Sequence, residues 1–137
     1  MALVSRNSQD LEATQALVAT QTPGSVLRAG EDLDAAAPCY LDTSDDGSVK
    51  MCNGGAAASS VVAGWTPKAY KEGDPVSLFD IGTLFTYDTG GGLTRGQVLY
   101  VGATAGRLDD AATSNDDKGC AIAVSSQLIK VTRLGAA

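Results

Sequence analysis

The sequence predicts a small all-β fold, a barrel or a sandwich of short hairpins punctuated by glycine, with an extended N-terminal arm. The main observation is that short runs of β-favouring residues alternate with glycines. In Tyr70–Asp88, YKEGDPVSLFDIGTLFTYD, one run follows Gly73 and another follows Gly82. Leu93–Asp110, LTRGQVLYVGATAGRLDD, has the same arrangement. Each stretch is therefore predicted to form a hairpin.

A third, weaker copy of this arrangement lies upstream. Pro38–Leu41 and Ser48–Cys52 flank the polar turn DTSDDG. In all three copies a glycine lies four to six residues after the last large apolar residue of the leading run. Three related hairpins in one small domain favour a barrel or sandwich built by repetition.

Four further segments are predicted to be strands. Ser25–Arg28 begins the β pattern, and Ser59–Trp65 ends on the only tryptophan. Cys120–Val124 and Leu128–Leu134 are the final two strands. Apolar and polar residues nearly alternate in the last one, which predicts one buried and one exposed face.

The chain of 137 residues is predicted to form one domain, residues 25–137, preceded by an arm, residues 1–24. The first 21 residues contain no glycine and no aromatic residue. Leu11, Leu17 and Val18 indicate a thin helical stripe, which Thr22-Pro23-Gly24 would end. Two interpretations stay open: a disordered tail, or an arm that becomes ordered against a partner.

Charge and hydropathy exclude several classes of partner. The net charge is −6 and the basic residues are scattered, so neither nucleic acid nor an anionic membrane surface is expected as a partner. No apolar stretch approaches the length of a membrane span, and the N-terminus does not have the pattern of a signal peptide. We therefore expect the chain to remain in the cytosol where it is made. The charged fraction of 19% is low, which suits a surface that contacts other protein.

The three cysteines are expected to be small buried residues in a reducing compartment. Cys39 and Cys52 flank one predicted hairpin, so a disulfide between them is the alternative. A zinc site is not expected, because the chain has no histidine and no paired-cysteine spacing.

The sequence offers no catalytic constellation. Without histidine, a Ser-His-Asp or Cys-His arrangement is impossible. The glycine-rich stretches do not have the lysine-containing ending of a phosphate-binding loop. Three pairs of adjacent carboxylates are interpreted as solvated acidic turns: Asp45-Asp46, Asp109-Asp110 and Asp116-Asp117. We therefore predict no catalytic residue, no cofactor and no enzyme activity.

The best candidate for a metal site is the turn Asp42–Gly47. Its oxygen-bearing side chains and final glycine are similar to the start of a calcium loop. The twelfth place, however, is Asn53 where a bidentate glutamate is needed, and no helices are predicted to flank the turn. A polar hairpin turn is the favoured interpretation, and no metal is predicted.

The stretch from Ser25 to Arg133 resembles the head decoration, or cement, proteins of tailed bacteriophages. The residues that carry the resemblance are AGEDLDAAAPCYL, YKEGDPVSLFDIGTLFTYD, GLTRGQVLYVGATAGRL and KGCAIAVSSQLIKVTR. Asp32, Asp74 and Gln97 occupy equivalent positions at the starts of strands. The resemblance covers most of the body and little of the N-terminal arm.

The resemblance implies a compact β-domain that binds the outside of an expanded icosahedral shell, commonly as a homotrimer. The major capsid protein is the implied partner, and the virion exterior is the implied location, with assembly in the host cytoplasm. A terminal arm often contacts the capsid protein in this family. Trp65 is either a core residue or an interface anchor. The residues expected at capsid or subunit interfaces are Leu3, Val4, Leu11, Leu17, Val18, Trp65 and Tyr70.

Two other classes of function remain as alternatives. A small carbohydrate- or ligand-binding β-module on a virion appendage would need exposed aromatic side chains, and aromatics make up only 5% of the chain. An enzyme would need a pocket with perturbed carboxylates, which nothing in the sequence indicates.

Overall fold

A computed structural model describes residues 27–137, which form two packed β-sheets. Neither sheet closes on itself, so the prediction of an all-β fold is confirmed in its sandwich form rather than as a barrel. Two three-residue 3-10 turns, Thr43–Asp45 and Ala58–Ser60, are the helical segments of this part of the chain. The strands are β1 Pro38–Asp42, β2 Ser48–Met51, β3 Gly64–Trp65, β4 Leu84–Thr86, β5 Val98–Val101, β6 Leu108–Asp109, β7 Ala121–Ala123 and β8 Leu128–Val131.

The smaller sheet has the strand order β2-β1-β3. Strands β1 and β2 form the predicted hairpin, with Cys39 opposite Met51 and Asp42 opposite Ser48. At its tip Asp46 and Gly47 both have positive φ, of 55° and 72°, which closes the turn. The segment around Ala29 covers the outer edge of β2 through backbone hydrogen bonds on both sides of Val49.

The larger sheet has the strand order β4-β8-β7-β5-β6 and is antiparallel throughout. The predicted hairpin in Leu93–Asp110 is confirmed, since Val101 of β5 lies opposite Leu108 of β6. The predicted final pair is also confirmed, as β7 and β8. Ile129 and Val131 of β8 are buried while Lys130 is exposed, as the alternation predicts.

The prediction of a hairpin in Tyr70–Asp88 is wrong. A turn is present, because Gly82 has a φ of 92° and the Thr83 amide donates to the Asp80 carbonyl at 3.3 Å. The two arms, however, do not pair with each other. Val76 bonds to Leu27 and packs in one core cluster, whereas Phe85 lies opposite Ile129 in the other. The turn therefore connects the two sheets, because the apolar residues of its two arms pack in different core clusters.

Two of the three related stretches are hairpins and the third is a crossover, so the predicted threefold repetition is wrong. The predicted strand Ser59–Trp65 is also shorter than expected, since only Gly64–Trp65 pairs as a strand. In the predicted strand Ser25–Arg28, Arg28 makes one isolated bridge with Pro75, and residues 25 and 26 lie outside the described part.

The core consists of two apolar clusters. The first lies under the larger sheet and contains Trp65, Phe85, Leu99 and Ile129. The second lies under the smaller sheet and includes Leu33, Val49 and Val76. Trp65 is 0% exposed and its ring stacks on Phe85 with centroids 5.9 Å apart. The structure thus matches the core interpretation of Trp65 and leaves its ring unavailable to a partner surface.

All three cysteines are free thiols and fully buried. Cys39 belongs to the second cluster and Cys52 to the first, so the two side chains point to different cores and the alternative of a disulfide is not realised. Burial is the main cause that raises the pKa of all three thiols, with that of Cys120 at about 12. They are therefore packing residues that remain protonated at neutral pH.

Candidate interaction surfaces

The most extended candidate surface is a row of side chains on the outer face of the larger sheet. Strand register places Leu84 opposite Lys130, Lys130 opposite Ile122, and Ile122 opposite Val98. We call these four residues the outer row. Leu84 is 40% and Val98 41% exposed, whereas the residues beside them in each strand face the core.

The outer row is apolar apart from one central charge. Within residues 27–137, the Lys130 ammonium has no carboxylate partner within ion-pair distance. Directly opposed side chains in adjacent strands lie about 5 Å apart, so the four residues form a continuous strip across four strands. A strip of aliphatic side chains around one uncompensated cation is suited to a protein surface that presents apolar groups and a carboxylate.

The second candidate is a groove of about 520 Å³ at the seam between the two sheets. Its lining includes the small or apolar groups of Ala35, Ala36, Pro67 and Tyr87. Three exposed charged residues line the groove: Asp34, Lys68 and Arg107. The groove therefore carries a local charge of +1 in a chain whose net charge is −6.

One wall of the groove is held by Thr66, whose side chain is fully buried. The Thr66 hydroxyl donates to the Asp34 carbonyl at 2.6 Å and accepts from the Ala37 amide at 3.1 Å. These bonds keep Ala36 at a φ of 53°, a left-handed conformation that costs a non-glycine residue about 1 kcal/mol. These bonds hold the backbone on this side of the groove in place.

The opposite wall is held by Tyr87. Its hydroxyl accepts a hydrogen bond from the Leu108 amide at 2.9 Å, which ties the end of β4 to β6. Lys68 lies on the first wall, where its Nζ atom is 5.5 Å from the centre of the Tyr70 ring. Arg107 follows Gly106 in the β5–β6 turn.

The hairpin tip Asp42–Gly47 is a polar turn organised by one lysine. Lys50 Nζ lies 2.8 Å from Asp42 Oδ2 and 3.3 Å from Asp45 Oδ2. The hydrogen bond from Lys50, followed by those from Ser44, lowers the pKa of Asp42 to about 2. The Ser48 hydroxyl, followed by Lys50, lowers the pKa of Asp45. The carboxylates of Asp42 and Asp45 thus share one cation of the hairpin itself, which offsets part of their negative charge.

Asp116 differs from the solvated residue that the sequence predicts, because it is 0% exposed. Its carboxylate accepts hydrogen bonds from the amides of Val101 and Gly119, both at 2.8 Å, and of Lys118 at 3.1 Å. Arg133 Nη2 lies 3.0 Å from Asp116 Oδ1, at an angle that makes the contact an ion pair rather than a hydrogen bond. The prediction of a solvated Asp116 is therefore wrong: this residue anchors the loop to β5 and to the C-terminal segment.

The predicted interface residues fall into two groups. Trp65 and Tyr70 are buried in different clusters, with Tyr70 9% exposed. The remaining five, Leu3, Val4, Leu11, Leu17 and Val18, lie outside the described residues. The outer row was not predicted from the sequence. The alternation in LIKVTR pointed to one exposed face, but the row depends on which strands neighbour β8.

The described residues contain no group of three metal-ligating side chains placed to hold an ion. Between residues 27 and 137 no helix has the length and apolar character that crossing a membrane requires. A scan against protein-family models finds no match for the chain, and searches of curated proteins and of solved structures find none either.

Proposed function

We propose that this chain is a structural virion protein that binds the outer surface of an expanded icosahedral capsid. It would stabilise the shell by bridging major capsid protein subunits, as a homotrimer, after assembly in the host cytoplasm. No enzymatic activity, cofactor, nucleic acid or membrane enters this proposal. The observation that carries it is the outer row, a rigid apolar strip with one uncompensated lysine.

The physical basis would be linkage between binding and shell stability. A protein that binds only the expanded lattice lowers the free energy of that lattice and not of its dissociated subunits. Many copies, each with a modest affinity, would together hold neighbouring subunits against internal pressure. A stiff body suits this task, because little conformational freedom is lost when a preformed surface binds.

The alternative of a carbohydrate-binding module has less support. All seven aromatic residues of the chain lie within residues 27–137, and each is buried or half-buried. A sugar platform needs exposed aromatic faces, so we make no second proposal.

The proposal is tested with expanded, undecorated tailed-phage shells and the purified full chain. We expect the chain to sediment with the shells and to raise the temperature at which they are disrupted. Val98→Glu should weaken binding by about tenfold or more, which corresponds to about 1.4 kcal/mol, because it places a carboxylate inside the apolar strip.

The matched control is Val61→Glu, since both valines are 41% exposed and Val61 lies outside the outer row. It should bind as the unsubstituted chain does. A monomeric chain that binds no shell would refute the proposal, and equal binding by the two variants would remove the outer row from it.

A further inference from the structure

The groove at the seam between the sheets has features of a binding site that the outer row does not use. Its lining includes apolar groups, and hydrogen bonds of Thr66 and Tyr87 hold the backbone on two sides of it. Lys68 and Arg107 have no carboxylate within ion-pair distance in the described part of the chain. An occupant should therefore be apolar, with two negative groups and one positive group to complement the charges of the groove.

The chain contains one segment with this composition outside the described residues. Arg6, Asp10 and Glu12 are the only charged side chains among residues 1–26, so the segment has one base and two acids. The groove has the reverse, one acid and two bases, in Asp34, Lys68 and Arg107. Leu11 lies between the two acids of the segment and supplies an apolar side chain.

The segment joins the body at Leu27, which belongs to the second core cluster together with Tyr70. The Tyr70 ring is the one over which Lys68, a residue that lines the groove, lies. The 14 residues between Glu12 and Leu27 could span about 45 Å when extended, so chain length does not limit the reach.

We propose that the N-terminal segment of the same chain docks in this groove through Asp10, Leu11 and Glu12, with the two carboxylates facing Lys68 and Arg107. Docking would cover the apolar groups that line the groove in the free protein. If the proposed function is correct, docking also withholds the segment from neighbouring subunits until a shell competes for it. That second role rests on the proposed function, whereas docking itself does not.

The test is zero-length carbodiimide cross-linking of the full chain, which joins a carboxylate to a lysine amine within contact distance. Peptide mapping should find Asp10 or Glu12 joined to Lys68 in preference to Lys71. Lys71 is the internal comparison, because its side chain is 84% exposed and random encounters would label it readily. An equal mixture of ¹⁵N-labelled and unlabelled chains should give cross-linked peptides of a single isotope, as contact within one chain requires.

Arg107→Gln removes one positive charge of the groove and adds no carboxylate that could itself react with Lys68, so the yield of the cross-link between Lys68 and Asp10 or Glu12 should fall strongly. Arg95→Gln makes the same change at an exposed position outside the groove and should leave the cross-link unchanged. Circular dichroism and the unfolding midpoint establish that both variants are folded.

Three results would overturn the proposal: cross-links spread evenly over the lysines, equal yields in Arg107→Gln and Arg95→Gln, or mixed-isotope peptides that show contact between copies. Failure of docking is separable from failure of the proposed function, since shell sedimentation is measured independently and depends on the outer row.

Discussion

Two acidic loops of this protein have similar sequences and different structural roles. The hairpin tip Asp42–Gly47 and the loop Asp109–Lys118 each combine aspartates with small polar residues. In the tip, the carboxylates of Asp42 and Asp45 contact Lys50 of the same hairpin. In the loop, Asp116 is fully buried and contacts Arg133, 17 positions later in the sequence.

The role of a carboxylate depends on which hydrogen-bond donors and cations the fold places beside it. Asp116 is stabilised by three backbone amides and a guanidinium, which together compensate the cost of removing its charge from water. Asp117, its neighbour in sequence, is exposed. Adjacent aspartates in the same turn therefore differ in burial and in the number of their partners.

The largest expected effect comes from removing the buried carboxylate. Asp116→Ala should lower the free energy of unfolding by about 3–5 kcal/mol, because it leaves Arg133 without a counter-charge and three amides without an acceptor. Urea unfolding followed by the fluorescence of Trp65, which is fully buried, measures the change.

Asp117→Ala is the matched control and should change the free energy of unfolding by less than about 0.5 kcal/mol. If the two alanine variants have equal stability, the buried carboxylate does not anchor the loop and the contrast between the loops disappears.

The second effect compares a glycine from each region, Gly119 beside Asp116 and Gly47 in the tip. Both have positive φ, at 88° and 72°. A Cβ at Gly47 meets open space, so Gly47→Ala should cost about 1 kcal/mol from backbone strain alone. A Cβ at Gly119 would overlap the Val98 side chain, so Gly119→Ala adds overpacking and should cost about 2–4 kcal/mol.

The same unfolding assay measures both alanine variants. Equal losses would mean that the neighbourhood of Gly119 relaxes around the new methyl group. In that case Gly119 packs less tightly against β5 than its hydrogen bond to Asp116 implies.

Whether a structural feature can be predicted from the sequence depends on how far apart in the chain the interacting residues lie. The β1–β2 and β5–β6 hairpins were predictable, because a glycine turn and two apolar runs lie within 14 residues or fewer. The pairing of β4 with β8 was not, because Phe85 and Ile129 are 44 positions apart. A local pattern cannot distinguish a turn that closes a hairpin from one that crosses between sheets.

The candidate surfaces likewise depend on contacts between residues that lie far apart in the sequence. Trp65 was a candidate both for the core and for an interface, and only packing against Phe85 decides between them. The outer row requires the order of four strands, so no local motif could have identified it. The burial of Asp116 depends on Arg133, and no signal within the loop indicated it.

The smallest effect should come from the tip, and it should depend on pH. The pKa of Asp42 is lowered to about 2, so the stability that its charged form contributes is fully present above the pKa of an ordinary aspartate. That contribution is lost as the pH falls from about 4 towards 2. Asp42→Asn should therefore reduce the loss of stability on acidification, measured by urea unfolding at pH 5 and at pH 2.5.

Asp46→Asn, in the same tip but without a contact between its carboxylate and any described residue, should retain the full dependence. If both variants behave alike in acid, the ion pair between Asp42 and Lys50 contributes nothing to stability. The carboxylates of the two loops then differ in their contribution to stability by more than their ion-pair distances indicate.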